Sequence, residues 1–461
     1  SKRINNNMSQ VQTVTTTSDC TKTEAMKPPL PKTKMPPLFD QPVTSKNWTK
    51  FVNWPQSILL CATPLIALYG VFTTELTQKT MIWAIVYYFI TGLGITAGYH
   101  RMWSHRAYRG TTAYRWIMSL AGAGAVEGSA YWWSRGHRAH HRWTDTDKDP
   151  YSAHRGFFFS HFGWMLVVRP KNRIGYADVA DLKADPVVAF QHKYYPYIAL
   201  LMGFIFPTLV AGYGWGDFRG GYFYAGVLRL VFVHHATFCV NSLAHYLGES
   251  TFDDHNTPRD SWITALCTLG EGYHNFHHQF PQDYRNAIKF GQYDPTKWLI
   301  NVFSWIGLAY DLKQFPTNEV TKGRLFMEEK RLRAQQAQLT YGVPLKDLPI
   351  YTWEEYQSLV LNENKKWILL EGVLYDVENF MHEHPGGMKY VSTAIGKDMT
   401  TSFNGGVYNH SNGARNLLTS LRVGVLRNGM QVMSEADATA TTYDDSLEFD
   451  SNSAQFYKKK K

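Results

Sequence analysis

Charge is absent from residues 51–74 and again from 80–99, runs of 24 and 20 residues against the ~20 that a helix needs to cross a bilayer. Glu75 to Lys79 between them is long enough only for a turn, so the pair predicts a helical hairpin that enters and leaves a membrane on one side. The pattern repeats. Tyr194 to Gly216 carries no charge, Asp217 to Gly221 is a short polar turn, and Tyr222 to Ala244 runs back with one interior charge, Arg229. Four spans are expected, at about 51–74, 80–99, 194–216 and 222–244. The turns hold one cation each, Lys79 and Arg219, whereas the loop from His100 to Lys193 holds many, among them Arg101, Arg106, Arg109, Arg115, Arg135, Arg138 and Arg142. Excess Lys and Arg marks the cytosolic side, so both termini and that loop are predicted to be cytosolic.

Outside the spans the pattern divides the chain further. Residues 1–47 are polar, rich in Thr and Pro, without a secretory pattern, and expected to be disordered. The membrane unit is expected to run over 48–316. A polar, helical linker follows over 317–344, then a second globular pattern over 345–430 and a tail over 431–461. The fold class is therefore mainly α: a four-span helical domain with a cytosolic helical cap, plus a small α+β domain. The terminal Lys458 to Lys461 reads as a retrieval address or a solvated tail.

Composition narrows the function classes. In 461 residues the net charge is +9 and the aromatic share 15%, which suits contact with a membrane surface or an anionic substrate, though ordinary surface lysine gives the same sum. No nucleic-acid partner is expected. The four cysteines, Cys20, Cys61, Cys239 and Cys267, are scattered without a CxxC, which argues against a disulfide framework or a thiolate zinc site.

The candidate chemistry lies in histidine. His137, His140 and His141 in HRAHH stand at i, i+3 and i+4, so on a helix they can converge on one point. The spacing recurs as His274, His277 and His278, and a looser pair, His100 and His105, precedes both. By the span assignment His100 and His245 fall at cytosolic span ends, and both HxxHH motifs in the cytosolic segments that follow. Nine nitrogen donors exceed what one first-row ion uses, and structural zinc closes with four, so two ions sharing the set is the economical reading. Asn241, four residues before His245, can complete one sphere directly or through water, or instead satisfy backbone within a membrane helix. His234 and His235 point in different directions and are left out. His154, His161, His192 and His255 lack matching partners and are expected in supporting or surface roles. Imidazole suits iron, and iron with open positions activates dioxygen, which fits attack on an unactivated C–H bond. Such chemistry needs electrons from outside.

The carboxyl-terminal pattern supplies a source. YTWEEY, GVLYDV, HPGG at His384 and a second histidine, His410, followed by Ser resemble cytochrome b5 over Leu345 to about Gly429. That resemblance implies haem b with His384 and His410 as axial ligands, an electron carrier with no open position for oxygen. His382 is expected at the surface.

HRMWSHR, HRAHH, NSLAH and EGYHNFHH in this order over 48–316 resemble the acyl-CoA delta-9 (stearoyl-CoA) desaturases, and GAVEGSAYWW with the carboxyl-terminal cytochrome resembles their fungal fused type. The resemblance implies an oxidoreductase of fatty acid biosynthesis in the endoplasmic reticulum membrane. It would place a cis double bond in palmitoyl- or stearoyl-CoA using O2, two irons on the nine histidines with Asn241 through water, and an NADH-linked cytochrome b5 reductase. Trp133 and Thr237 match the bend of an acyl tunnel, which presents one methylene pair in a fixed shape. Tyr88 and Gly92 match its closed end, where helix packing accounts for them equally. Arg135 and Arg169 match basic positions near the coenzyme A phosphates, or are interfacial arginines. Two departures stand out: Gly136 where many animal members have Asp, and Glu127-Gly128 where they have Gln-Asn. A di-iron fatty acyl hydroxylase, and a metal or haem sensor without catalysis, are the competing readings.

Overall fold

The computed structural model describes residues 35–170, 173–427, 447–450 and 455–458. The expected disorder of the first 34 residues, Cys20 and Lys459 to Lys461 lie outside the described residues. The chain divides into two units, Ser1–Lys330 and Arg331–Lys461.

In the first unit four helices are long and apolar enough to span a bilayer: Trp54–Thr73, Gln78–Ser104, Tyr195–Trp215 and Phe218–Tyr246. The first is α1; the second starts as α2 (Gln78–Leu93) and continues as a wider π-helical stretch, Gly94–Ser104. Their outer faces are apolar and open, with Leu65 68%, Phe72 80% and Tyr213 81% exposed, as lipid-facing side chains must be when every backbone group is satisfied within the helix. The two hairpin turns fasten to each other. Thr80 donates to the Asp217 carboxylate, and Arg219 Nε donates to Thr74 Oγ1 at 2.9 Å. Arg229, in the middle of the fourth span, is buried. Its guanidinium donates to the carbonyls of Gly124 and Gly203 at 2.8 Å and faces the Tyr87 ring at 4.9 Å, so the cation is paired within the bundle.

The second span outruns its expected end by five residues because it is no longer lipid-facing there: every residue from Gly94 to Ser104 is buried. It is covered by strand β1 (Arg109–Gly110) and helices α3 (Thr112–Ala123) and α4 (Ala130–Trp143). The packing of α3 on this stretch requires glycine, since a Cβ on Gly94 would lie 2.3 Å from the Gly122 nitrogen. Strand β2 (Ala309–Tyr310) pairs antiparallel with β1 and closes the cap. Tyr99, Trp103, Tyr108, Tyr114 and Ile300 form the core between cap and bundle.

The helix Thr317–Gln336 begins in the first unit and ends in the second; it fills most of the expected linker. A four-stranded sheet follows in the order β3-β6-β5-β4, with β3 (Ile350–Tyr351), β4 (Trp367–Leu370), β5 (Val373–Asp376) and β6 (Arg422–Leu426). Thr352 and Glu355 form a reciprocal capping box on the helix Trp353–Asn362. Glu371 and Gly372 take positive φ, 52° and 79°, in the tight turn that joins β4 to β5. Within the expected carboxyl-terminal tail, β7 (Leu447–Asp450) and β8 (Gln455–Lys458) pair antiparallel.

Candidate metal centres

The nine motif histidines come together at the cap end of the spans, in two donor sets. His100, His105, His137, His141 and His277 form one, and His140, His245, His274 and His278 the other; within each set the donor nitrogens lie within 4.8 Å of one another. This corrects the expectation that each HxxHH converges on one point. On a helix turning ~100° per residue, i+4 lies ~40° to one side of i and i+3 ~60° to the other. Each motif therefore straddles two centres: α4 gives His137 and His141 to one and His140 to the other, while the helix His274–Gln279 gives His274 and His278 to one and His277 to the other. The π-helical stretch carries His100, and His105 follows at its C-cap.

The ring orientation is fixed from outside. His100 Nδ1 meets Glu271 at 3.0 Å and His140 Nδ1 meets Asp149 at 2.9 Å. His137 Nδ1 meets the Tyr151 hydroxyl at 3.2 Å. His245 Nδ1 lies 2.7 Å from Thr257 Oγ1, whose hydroxyl donates to Asp145 at 2.7 Å. Where these partners take Nδ1–H, at His100, His137, His140 and His245, Nε2 is left as a bare lone pair, and the inner Nε2 atoms of the two sets converge. They face one another at 3.0 Å for His100 and His277, 2.8 Å for His105 and His137, 3.0 Å for His277 and His141, 3.3 Å for His140 and His278, and 3.1 Å for His278 and His274. His245 Nε2 is buried without a partner.

Converging imidazole nitrogens that carry no proton between them repel unless a cation sits among them. Donors ~2.1 Å from one ion at right angles are ~3.0 Å apart, the spacing seen, so the residues fit two metal ions. Burial, with the neighbouring imidazoles, holds His105, His137, His141, His277 and His278 below the usual histidine range, and His274 at about 3. All are neutral at pH 7, the form that ligates.

Buried carboxylates around the rings were missed in the sequence. Glu271 holds both His100 and Arg101, whose guanidinium also bonds Asp294 at 2.9 Å. Burial raises the Glu271 carboxyl, but Arg101 and His100 outweigh it and bring it down to about 2. The remaining histidines stay outside both sets. His234 pairs with the Ala125 carbonyl, His161 with His235 and Ser242, His192 with Ser129, and His255 with Asp253; His154 lies 3.9 Å from Asp145.

Two cavities meet beside the rings. The inner, about 40 Å³, is lined by Tyr88, Gly92, Ile95, Val233 and Leu269. The outer, about 410 Å³, reaches Arg135, Arg169 and Ile174. Trp133, His137, Thr237 and Asn241 line both, so the two cavities adjoin at these four. Asn241 reaches this junction for a different reason than the even helical spacing to His245: the helix breaks after it at Ser242, φ −115° and ψ −76°. Arg135 is exposed. Arg169 donates to the carbonyls of Asp147, Asp149 and Arg173, so much of its guanidinium is already engaged.

In the second unit His384 and His410 stand with ring centroids 6.5 Å apart. Their Nδ1 atoms face the carbonyls of Gly387 and Phe403 at 3.3 and 3.0 Å, leaving both Nε2 free. Rings on opposite faces of one iron have centroids roughly 6 Å apart, from two bonds of ~2 Å and the ring radii, so the pair fits an axially ligated haem. His382 is exposed.

Comparison with known proteins identifies a family for each of the two units. Residues 79–306 match the fatty acid desaturase family and 352–427 the cytochrome b5-like heme/steroid binding domain. The chain is 52% identical over 410 residues to a probable acyl-CoA desaturase of Schizosaccharomyces pombe, covering 88% of this chain and 85% of that protein. It is 46% identical over 393 residues to acyl-CoA desaturase 1 of Saccharomyces cerevisiae, covering 85% and 77%. It is 41% identical over 284 residues to human stearoyl-CoA desaturase, covering 60% and 77%. With this similarity over most of its length and both domains in place, the chain belongs to the acyl-CoA desaturase family, in the form that carries its own cytochrome b5 domain.

Proposed function

We infer that the protein converts a saturated long-chain acyl-CoA, palmitoyl- or stearoyl-CoA, to the cis-Δ9 unsaturated product. The observation that carries this reading is the junction where nine converging imidazoles meet a narrow apolar passage. In balance, the acyl chain gives up two hydrogens, and one O2 takes these with two electrons and two protons to leave two waters. When bound, two irons held by the five-histidine and four-histidine sets, with Asn241 through water, supply dioxygen activation and C–H cleavage.

The chain's own residues do the rest. Tyr88, Gly92, Val233 and Leu269 line a slot for the distal methylenes and exclude water from it. Trp133 and Thr237 hold the bend, which brings one methylene pair against the junction lined by His137 and Asn241. Arg135, exposed at the outer cavity, takes the coenzyme A phosphates, with Arg169 supporting the mouth through the three carbonyls it holds. Glu271, Asp149, Tyr151 and the Thr257–Asp145 pair keep the inner nitrogens aimed inward, as outer hydrogen-bond partners of metal-bound histidines do.

Electrons come from haem b on His384 and His410, reduced by an NADH-linked cytochrome b5 reductase. The four spans make it a membrane protein; its residence in the endoplasmic reticulum, with both termini and the metal centres on the cytosolic side, is our reading, supported by the lysine and arginine asymmetry. Mass spectrometry of the product made from stearoyl-CoA with NADH and reductase tests this. A product lighter by two hydrogens is expected, whereas one heavier by an oxygen atom supports hydroxylation instead.

A further inference from the structure

Glu127 is the one acidic side chain lining the outer cavity, among Trp132, Trp133, Tyr195, Thr237 and Phe238. It sits in the tight connection between α3 and α4, after Val126 at φ 53° and before Gly128 at φ 98°. Positive φ at a β-branched residue is costly, so this connection is held firmly, and the Gly128 N–H donates to the Tyr195 hydroxyl at 2.8 Å. Trp133 Nε1 donates to Glu127 Oε2 at 3.1 Å and the Thr237 hydroxyl bonds the same carboxyl. The two residues at the bend of the passage are therefore bridged by this acid. Oε1 is buried without a hydrogen-bond partner among the described residues.

We propose that Glu127 controls acyl-chain occupancy of the passage through its protonation state: the neutral carboxyl admits the chain at the bend and the carboxylate rejects it. This rests on the acyl-chain reading of the cavities. A carboxylate facing hydrocarbon, with water displaced by the chain, loses solvation that two neutral donors do not replace. Burial already pushes the group up to about 8, with the bonds from Thr237 and Trp133 opposing. The titratable and charged neighbours do not change the sign. Tyr99 and Tyr195 face it from the second and third spans. His234 of the fourth span is turned to the Ala125 carbonyl. Tyr151, His137, Arg135 and Arg169 line the same cavity, and none is a hydrogen-bond partner of the carboxyl among the described residues. An apolar chain at the bend raises the group further, so binding takes up a proton and, by linkage, weakens as pH rises through about 8.

The test is direct binding of stearoyl-CoA to the full-length protein in bilayer nanodiscs from pH 6.5 to 9.5, read by titration calorimetry in buffers of different ionisation enthalpy. The dissociation constant is expected to rise ~10-fold between pH 7 and pH 9. Near pH 8 binding should take up a fraction of a proton, and free coenzyme A should show neither effect. Glu127→Gln, which keeps the shape without the titration, is expected to remove both the rise and the uptake. Affinity independent of pH with no proton uptake in the wild type overturns the proposal, and needs no variant to fold; so does an unchanged pH profile in Glu127→Gln. Failure to bind stearoyl-CoA at every pH overturns the acyl-CoA reading itself, and this inference with it.

Discussion

His140 and His141 are neighbours in the chain yet serve different centres, and the reason is the helix rather than any difference between the two side chains. What HxxHH spacing made legible was that these rings gather as a nitrogen-rich donor cluster able to hold metal. The partition was not legible, because it depends on where α4 and the helix His274–Gln279 face each other. The outer partners were hidden for a related reason: Asp149 is nine residues from His140, and Thr257 twelve from His245, with no repeating interval to betray them. Their role predicts a specific loss. Asp149→Asn removes the carboxylate that orients His140, and metal affinity is expected to fall about 10–100-fold with the spans intact, as read by competition with a coloured chelator.

At the scale of elements, lengths of uncharged sequence gave all four spans to within a few residues, because crossing a bilayer constrains composition more strongly than any packing contact does. The discrepancies fall where protein replaces lipid. The second span continues to Ser104 as π helix under α3, and the fourth breaks at Ser242, so the even helical spacing from Asn241 to His245 does not hold. Gly92 shows how an element sets the outcome. A Cβ there would lie 2.5 Å from Leu269 Cδ1, and both residues line the inner cavity. Gly92→Phe is therefore expected to shorten the slot and shift the kcat/KM ratio toward shorter acyl chains by about tenfold or more, measured with palmitoyl- and stearoyl-CoA in competition. An unchanged ratio would assign Gly92 to helix packing alone.

At the scale of the molecule, the division near Lys330 separates the centre that oxidises from the domain that delivers electrons. HPGG and the second histidine announced that domain in the sequence, since loop chemistry and axial ligands are local features; its sheet order was not announced. Tethering holds a donor at an effective concentration of roughly millimolar. A chain ended after Gln336, the end of the connecting helix, is expected to bind acyl-CoA but to turn over only with soluble cytochrome b5 added. Full turnover without a donor would remove the haem domain from the account. The central claim is that nine imidazoles form two metal centres rather than one site with surplus ligands. Elemental analysis of the iron-supplied, haem-loaded full chain tests it most directly. Two equivalents of non-haem metal per chain are predicted, and a single equivalent at saturation would contradict the account.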